Sequence, residues 1–579
     1  MPQYLRPSCT AIPRRGALGA AVRSCRVAII VVGLFTAVIN LLALSGSIFM
    51  LEVYNRVLPS RSLPTLAGLC VLIFLLLGCQ GLLDLIRARL LLRVGSYLHE
   101  RAGEQAFRCL IALPVKMGPA GLTMQPVKDL DNVRSFLASP GPPALFDLPW
   151  IPIYLGLLFA FHSYLGLVAL AGALLVVSCT LLTEVLSRRA LRVVSVGTHE
   201  KEGMVEIGRR QGETILALGM TERMAQRWHL LDLHVARQHR TASDIALGFG
   251  AVSRMLRFMI QSAVLAVGAI LVIEQQASAG LMVASSILAA RALAPIDVAI
   301  AHWRGFLSAR RSWRRLSSAL IAVPDGPQLL ALPAPKGRIS VEHVTVIPPG
   351  GQSPVLYDVS FDLKAGDGLA VVGASASGKS SLARALVGIF RPTKGAVRLD
   401  GARLDQWSTG DLGAHIGYLA QHVELFPGTI AENICRFEPA ALGDDILTAA
   451  RAADVHDLIT SLPLGYQTRV GPGSTALSAG QQQRVGLARA LYRDPFFVVL
   501  DEPNSSLDVA GEAALSLAIR RIRDRGGIVV VVSHRQAALM AVSHILIMCD
   551  GRVQRLGLCD EILRPQARVA AVRTTGARA

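Results

Sequence analysis

The sequence predicts a multi-domain protein: a six-helix α-helical transmembrane domain followed by an α/β phosphate-loop nucleotide-binding domain. Three observations predict it. Of the 579 residues, 52% are apolar and only 17% charged, against about 25% charged in soluble proteins. Apolar runs long enough to cross a bilayer crowd the chain before residue 300. Residues 373 to 380 read Gly-Ala-Ser-Ala-Ser-Gly-Lys-Ser, a phosphate loop, well after the last of those runs.

The spans come first in the chain. Val27 to Leu51 is apolar throughout, enough for ~30 Å of hydrocarbon, and too long for a signal-peptide core. Leu63 to Ile86 fits a second span. Leu145 to Phe161 and Tyr164 to Leu186 form a tight pair, and Ile245 to Ile273 a fifth. Leu281 to Ile300 is the sixth, interrupted by Arg291 and Asp297. Basic residues orient the set. Arg6, Arg14, Arg15, Arg23 and Arg26 precede the first span, and the segments 87–144 and 187–244 are rich in basic residues, Arg87 and Arg89 among them. The opposite side carries Arg56 and Arg61. Both termini are therefore expected in the cytosol, with the two long segments extending the helices beyond the bilayer and bending near Gly118 to Gly121 and Gly219. Pro140, Pro142, Pro143, Pro149 and Pro152 predict a kinked start to the third span. Arg254 and Arg257 admit two readings, a water-filled path through the bundle or a helical extension below the membrane.

The net charge of +18 is the positive-inside bias of a membrane protein, not a footprint for nucleic acid. None of the nine cysteines forms a Cys-x-x-Cys pair, so neither a zinc site nor a disulfide framework is expected. The domain boundaries expected are a basic N-terminal segment (1–26), the transmembrane domain (27–320), a Pro-rich linker (321–337), the nucleotide-binding domain (338–563) and a basic, disordered tail (564–579).

In the second half, β-type runs at Arg338 to Val346, Leu356 to Leu363 and Gly368 to Val372 lead into the phosphate loop, and Ser381 to Gly388 continues as helix. Strand, loop, helix is the context that motif needs. The backbone from Gly373 through Ala374, Ser375, Ala376, Ser377 and Gly378 to Ser381 can cradle phosphates. Lys379 brings a point charge to the terminal phosphates, and Ser380 a hydroxyl for Mg²⁺. Phe496 to Leu500 reads as a buried parallel strand that delivers Asp501 and Glu502 at its C-terminal edge. Asp501 would hold Mg²⁺ through water, and Glu502 would act as general base on the attacking water. The run Ile528 to Ser533 ends at His534, placed to contact the γ-phosphate.

In order, the phosphate loop, Gln421, Leu477-Ser478-Ala479-Gly480-Gln481, Leu500-Asp501-Glu502, Ser506-Leu507-Asp508 and His534 make the second half similar to the ATP-binding cassette family. The resemblance implies two ATP molecules sandwiched in a head-to-tail homodimer. Each would lie between one subunit's phosphate loop and the other's Ser478, Ala479, Gly480 and Gln481, with Asp508 and Gln421 also at the nucleotide and Gln421 beside the metal. A narrower resemblance spans nearly the whole chain. Met50 to Ser60, Asp147-Leu148-Pro149-Trp150, Val423 to Ile434 and Pro503 to Asp508 resemble type I secretion exporters of the alkaline-protease class. That class implies a bacterial inner-membrane exporter of unfolded polypeptide cargo with a C-terminal signal, working with a periplasmic adaptor and an outer-membrane channel. The alternatives are a cassette exporter of lipid or small molecules and an ATP-gated cassette that does not hydrolyse.

Four positions depart from the family pattern. Pro348 stands where many exporters stack an aromatic on adenine, so weaker base selectivity or another stacking residue is expected. Pro472 stands where many have Glu. Ala376 and Ala479 replace common glycines, from which the backbone is expected to need no positive φ at either position.

Overall fold

The computed structural model describes residues 23–323, 332–471 and 477–562. Most of the N-terminal segment, the linker residues 324–331, Pro472 and the basic tail lie outside the described residues. The chain divides into two compact units. One comprises Met1–Cys109 and Gln125–Ala322, the other Leu110–Met124 and Val323–Ala579.

The first unit is helical. Six helical stretches are long and apolar enough to cross a membrane: Arg26–Ser60, Leu63–Met117, Gly141–Phe161, Ser163–Arg210, Thr221–Ile273 and Ala279–Ala322. Each contains one of the expected spans, and the chain is a multi-pass membrane protein. Four of the six run well past the length that a bilayer needs, as the polar, Arg-rich segments predict. The proline cluster breaks the third span into a helix Gly141–Asp147, a 3-10 turn Leu148–Trp150 and a helix Ile151–Phe161. A core of Tyr154, Leu158, Leu165, Val264, Leu271, Leu288 and Leu293 joins the third to sixth spans.

Several polar residues within the spans of this unit are paired. Arg257 Nη1 donates to Asp297 Oδ2 at 2.8 Å, and Ser253 Oγ to Asp297 Oδ1 at 3.3 Å. Arg254 stays exposed. Arg87 corrects its expected place in the solvated basic segment. It is 6% exposed, donating from Nη1 to Asp147 Oδ1 at 3.0 Å and from Nη2 to Asp84 Oδ1 at 2.6 Å. The reason is that a guanidinium one residue beyond an apolar run can fold back onto an acid one turn earlier on its own helix and onto Asp147 from the third span, where its charge is compensated.

The second unit is built on three sheets. Its strands are β1 (Arg338–Val346), β2 (Leu356–Lys364), β3 (Gly368–Gly373), β4 (Lys394–Leu399), β5 (Ala402–Arg403), β6 (Ile416–Leu419), β7 (Gly428–Thr429), β8 (Arg469–Val470), β9 (Phe497–Asp501), β10 (Ile528–Val532), β11 (His544–Cys549) and β12 (Arg552–Leu558). The main sheet has the order β12-β11-β3-β10-β9-β6, parallel except for the β11–β12 hairpin. An antiparallel sheet β2-β1-β4-β5 packs on one face, and β7 and β8 form a short pair. Alternation with period two divides the main sheet's side chains. Ile528, Val530 and Val532 join the core shared with β1, β2 and β4, while Val529 and Val531 join the core under the helices Ala479–Leu491 and Val509–Asp524. Both faces are buried, so β9 and β10 read as unbroken apolar runs.

Leu110–Met124 belongs to this second unit. Gly118 ends the long helix at φ +61°, where a Cβ would lie 2.1 Å from the Pro349 carbonyl oxygen. Only glycine fits there, and the bend expected from sequence is the point where the chain meets the Pro348–Gly351 turn.

Candidate active site

The site is assembled at the C-terminal edge of the parallel sheet, where β3, β10 and β9 lie side by side. β3 runs directly into the phosphate loop, and the loop into the helix Lys379–Leu386. Gly378 precedes that helix at φ +96°, with the Val355 oxygen 3.0 Å from where a Cβ would be. Ala374, Ser375 and Ala376 are exposed, while Ser381 is half-buried in the first helical turn. Ala376 overturns the sequence expectation: its φ is +65°. A left-handed alanine costs roughly 1–2 kcal/mol, so the loop's other constraints outweigh the preference of its residue type. Among them are the turn bond from Ser377 N–H to the Ala374 oxygen, 3.2 Å, and the bond from Gly551 N–H to the Ser377 oxygen, 3.1 Å. Ala479, the first residue of a helix, needs no such conformation.

Lys379 is buried, its Nζ donating to the carbonyl oxygens of Gly373 and Ala374, both at 2.8 Å. Ser377 is also buried, and its Oγ has no hydrogen-bond partner among the described residues. Ser380 Oγ donates to Asp501 Oδ1 at 3.1 Å. The second carboxylate oxygen of Asp501, a residue only 1% exposed, is buried without a donor among the described residues. Burial, with Glu502 close by, pushes this carboxyl above the usual carboxylate range. A hydroxyl and a carboxylate with an unmet hard oxygen are the donors Mg²⁺ takes, so these residues fit that ion.

Glu502 follows at φ +49°, fixed by a bond from its N–H to the Val532 oxygen at 3.0 Å. Its Oε2 accepts from Gln421 Nε2 at 3.0 Å. Gln421, two residues past β6, is thereby brought to the carboxylate across 81 residues of sequence. His534 sits exposed just beyond β10, where Ser533 Oγ is bonded to Asn504 Oδ1 at 3.1 Å. No side-chain hydrogen bond holds His534 among the described residues.

The residues from Ser478 to Gln481 begin the helix Ala479–Leu491. Ser478 Oγ accepts from Gln481 N–H, and Gln481 Oε1 accepts from Ser478 N–H, a capping box. Among the described residues these two bond to each other and not to the phosphate loop. A Cβ on Gly480 would lie 2.6 Å from the Ser506 oxygen, which keeps the helix start close to the segment after Glu502. Asp508 caps the helix Val509–Asp524, its Oδ1 accepting from Gly511 N–H at 2.9 Å and from Arg484 Nη2 at 2.6 Å.

Two residues that the motifs do not mark hold this layout together. Gln483 donates to the carbonyl oxygens of Glu502 and Pro503 and accepts from Ser506 N–H, tying the helix to the carboxylate segment. Arg436 spends its whole guanidinium on carbonyls: Arg489 at 3.0 Å, Ala490 at 3.1 Å, Gly413 at 2.6 Å and Ile416 at 3.3 Å. It thus joins the end of the helix Ala479–Leu491 to the start of β6. The only sequence signal was the run Gln481-Gln482-Gln483, whose long amides can reach backbone groups; nothing flagged Arg436.

Known proteins match this arrangement along its length. Residues 29–295 match the ABC transporter transmembrane region, and residues 356–505 match the ABC transporter family. The type I secretion system ATP-binding protein PrsD of Rhizobium meliloti (strain 1021) is 49% identical over 94% of this chain and 95% of its own length. The cyclolysin secretion/processing ATP-binding protein CyaB of Bordetella pertussis (strain Tohama I) is 29% identical over 92% of this chain and 75% of its own. The fold is that of a bacterial Atm1-family ABC exporter solved with ATP bound, at a TM-score of 0.78 and 21% identity, covering 96% of this chain and 100% of that one. With its membrane spans and ATP-binding domain on one polypeptide, the chain belongs to the ATP-binding cassette exporters, in the family of type I secretion ATP-binding proteins.

Proposed function

We propose that the protein is the ATP-hydrolysing inner-membrane exporter of a type I secretion system, driving an unfolded protein with a C-terminal signal out of the cell. The observation that carries the protein-cargo reading is the 49% identity to PrsD, spread over both halves of the chain. Lys379 and the amides from Gly373 to Ser381 bind the phosphates. Ser380 and Asp501 would hold Mg²⁺, with Gln421 as a further oxygen donor to it. When bound, that ion would neutralise charge on the phosphate oxygens. Glu502, oriented by Gln421, takes the proton of the attacking water, and His534 contacts the γ-phosphate.

Ser478, Ala479, Gly480, Gln481 and Asp508 serve the site of a second copy. Their bonds within one cassette leave the helix N-terminus they start available to phosphate, which supports a head-to-tail homodimer. The abundance of arginine beside the long helical extensions supports cytosolic termini and a cytosolic ATPase domain. A periplasmic adaptor and an outer-membrane channel complete the system.

Two measurements test this. Deleting the gene should abolish secretion of a co-encoded polypeptide with a C-terminal signal, and a Glu502→Gln copy should fail to restore it. Undiminished secretion in the deletion strain sinks the cargo assignment. In nanodiscs, a wild type with no ATP turnover would favour an ATP-gated protein instead.

A further inference from the structure

One buried amide joins the helix that begins at Ser478 to Gln481 with the segment that carries Glu502. Gln483 is 4% exposed and lies in the second turn of the helix Ala479–Leu491, roughly 6 Å along its axis from Ala479. Its Nε2 donates to the Glu502 carbonyl at 3.3 Å and to the Pro503 carbonyl, and lies 3.4 Å from Ser505 Oγ. Its Oε1 accepts from Ser506 N–H at 3.0 Å. Two further contacts flank it. A Cβ on Gly480 would lie 2.6 Å from the Ser506 oxygen, and Arg484 Nη2 donates to Asp508 Oδ1 at 2.6 Å. Residues 502–508 are thus bonded to the first two turns of this helix.

Glu502 needs such support. Its φ of +49° lies in the left-handed region, which a residue with a Cβ disfavours and which persists only where the surroundings enforce it. Its N–H donates to the Val532 oxygen at 3.0 Å, on the neighbouring strand β10. Its carbonyl accepts from Ser505 N–H at 3.3 Å and from Gln483. Among the described residues, Gln483 is the one side chain bonded to the backbone of Glu502. In the homodimer proposed above, Glu502 acts on the ATP of its own phosphate loop, while Ser478 to Gln481 meet the ATP of the second copy. The helix start that meets one nucleotide and the base that attacks through water at the other are therefore one amide apart.

We propose that Gln483 is a positioning residue that couples the two ATP sites. Seating of the helix start on the second copy's ATP holds the Gln483 amide against the Glu502 carbonyl, and with it the left-handed conformation that aims the base. The inference rests on the homodimer and on Glu502 as general base, and deepens that reading: ATP at one site sets the rate at which the other is hydrolysed.

The test uses full-length protein in nanodiscs, with phosphate release followed against MgATP concentration and the assembly state read by mass photometry. The wild type should give a Hill coefficient of about 1.5 or more, where two coupled sites allow at most two. Gln483→Met keeps the length of the side chain and loses both sets of bonds. It should lower the maximal rate about tenfold, the size of one net hydrogen bond, and bring the Hill coefficient to about 1. Gln483→Glu can still accept from Ser506 N–H, but its carboxylate cannot donate to the Glu502 carbonyl, so it should behave as Gln483→Met does. Gln482→Met loses only the bond from Nε2 to the Leu477 oxygen and should keep the wild-type coefficient. If Gln483→Met does not fold, Gln483→Glu decides. A Hill coefficient near 1 in a wild-type dimer overturns the coupling. So does a slowed Gln483→Met or Gln483→Glu protein whose coefficient stays at the wild-type value, since that is the mark of a merely structural role. Both results leave the homodimer and the base standing. A protein that stays monomeric with ATP, or a Glu502→Gln variant with undiminished turnover, overturns that reading and this inference with it.

Discussion

Replacing Arg436 by Met should loosen the far end of the helix whose N-terminus is Ser478 to Gln481. The last carbonyls of a helix have no intrahelical donor, and here Arg436 serves two of them, at Arg489 and Ala490, from half-buried positions. A hydrogen bond from a charged donor is worth roughly 1.5–3 kcal/mol net. Burial, with the Arg489 guanidinium near, already pushes the Arg436 group below the ordinary arginine range, so part of the gain is offset. If the bonds to Gly413 and Ile416 cancel that desolvation, the two helix-end bonds at the low end of the range leave about 3 kcal/mol, or roughly a hundredfold. Methionine keeps the length and the apolar stem, so the loss reports the fork. Hydrogen exchange followed by mass spectrometry on the full-length protein reads local opening directly. Protection in residues 484–491 should fall about a hundredfold, protection in 379–386 should not change, and Arg436→Lys should fall between. Protection of 484–491 within threefold of wild type would refute the claim that the guanidinium pins this helix end.

Glu502→Gln should lower ATP turnover by roughly 10²–10⁴, the worth of a positioned general base, without changing the thermal midpoint by more than a degree or two; a phosphate-release assay and a melting curve check both. Asp501 carries a pH dependence. Its folded pKa is raised by burial, so the fold favours the neutral acid, and stability is lost as pH climbs from the ordinary aspartate range through the raised value. Asp501→Asn should therefore melt above wild type at pH 7 and lose that advantage on acidification, measured without nucleotide. Gly118→Ala must accept a left-handed alanine, costing roughly 1–2 kcal/mol, and also displace the Pro349 carbonyl. Amide protection in residues 116–124 should fall at least fivefold, by the same exchange measurement.

Most of the cassette was legible because its chemistry is local. The parallel strands are apolar runs that end on the residues they deliver, so β3 announced the phosphate loop and β9 announced Asp501 and Glu502. What escaped were links made by contact rather than by order. Gln421 and Glu502 could each be named, but not the bond between them. Arg436 stands in a short loop where nothing about its neighbours signals four carbonyls. Arg87 looked like one more interfacial cation, because Asp147 lies 60 residues away in sequence. Ala376 was misjudged for a different reason. Residue type gives a preference for negative φ, and the loop's closing bonds override it. In the membrane half, spans were readable from composition, while the hydrogen bonds that join Asn40 to Asp147 and Tyr154 were not, since they link the first span to the third.

The second unit's division of the chain has a mechanical meaning. Leu110–Met124 is interposed between stretches of the first unit, so the backbone crosses from one unit to the other three times: after Cys109, before Gln125, and after Ala322. Severing the chain after Ala322 would therefore not leave the ATPase with a clean edge: it would still lack, or still hold by contact alone, the fifteen-odd residues that come to it from between the second and third spans.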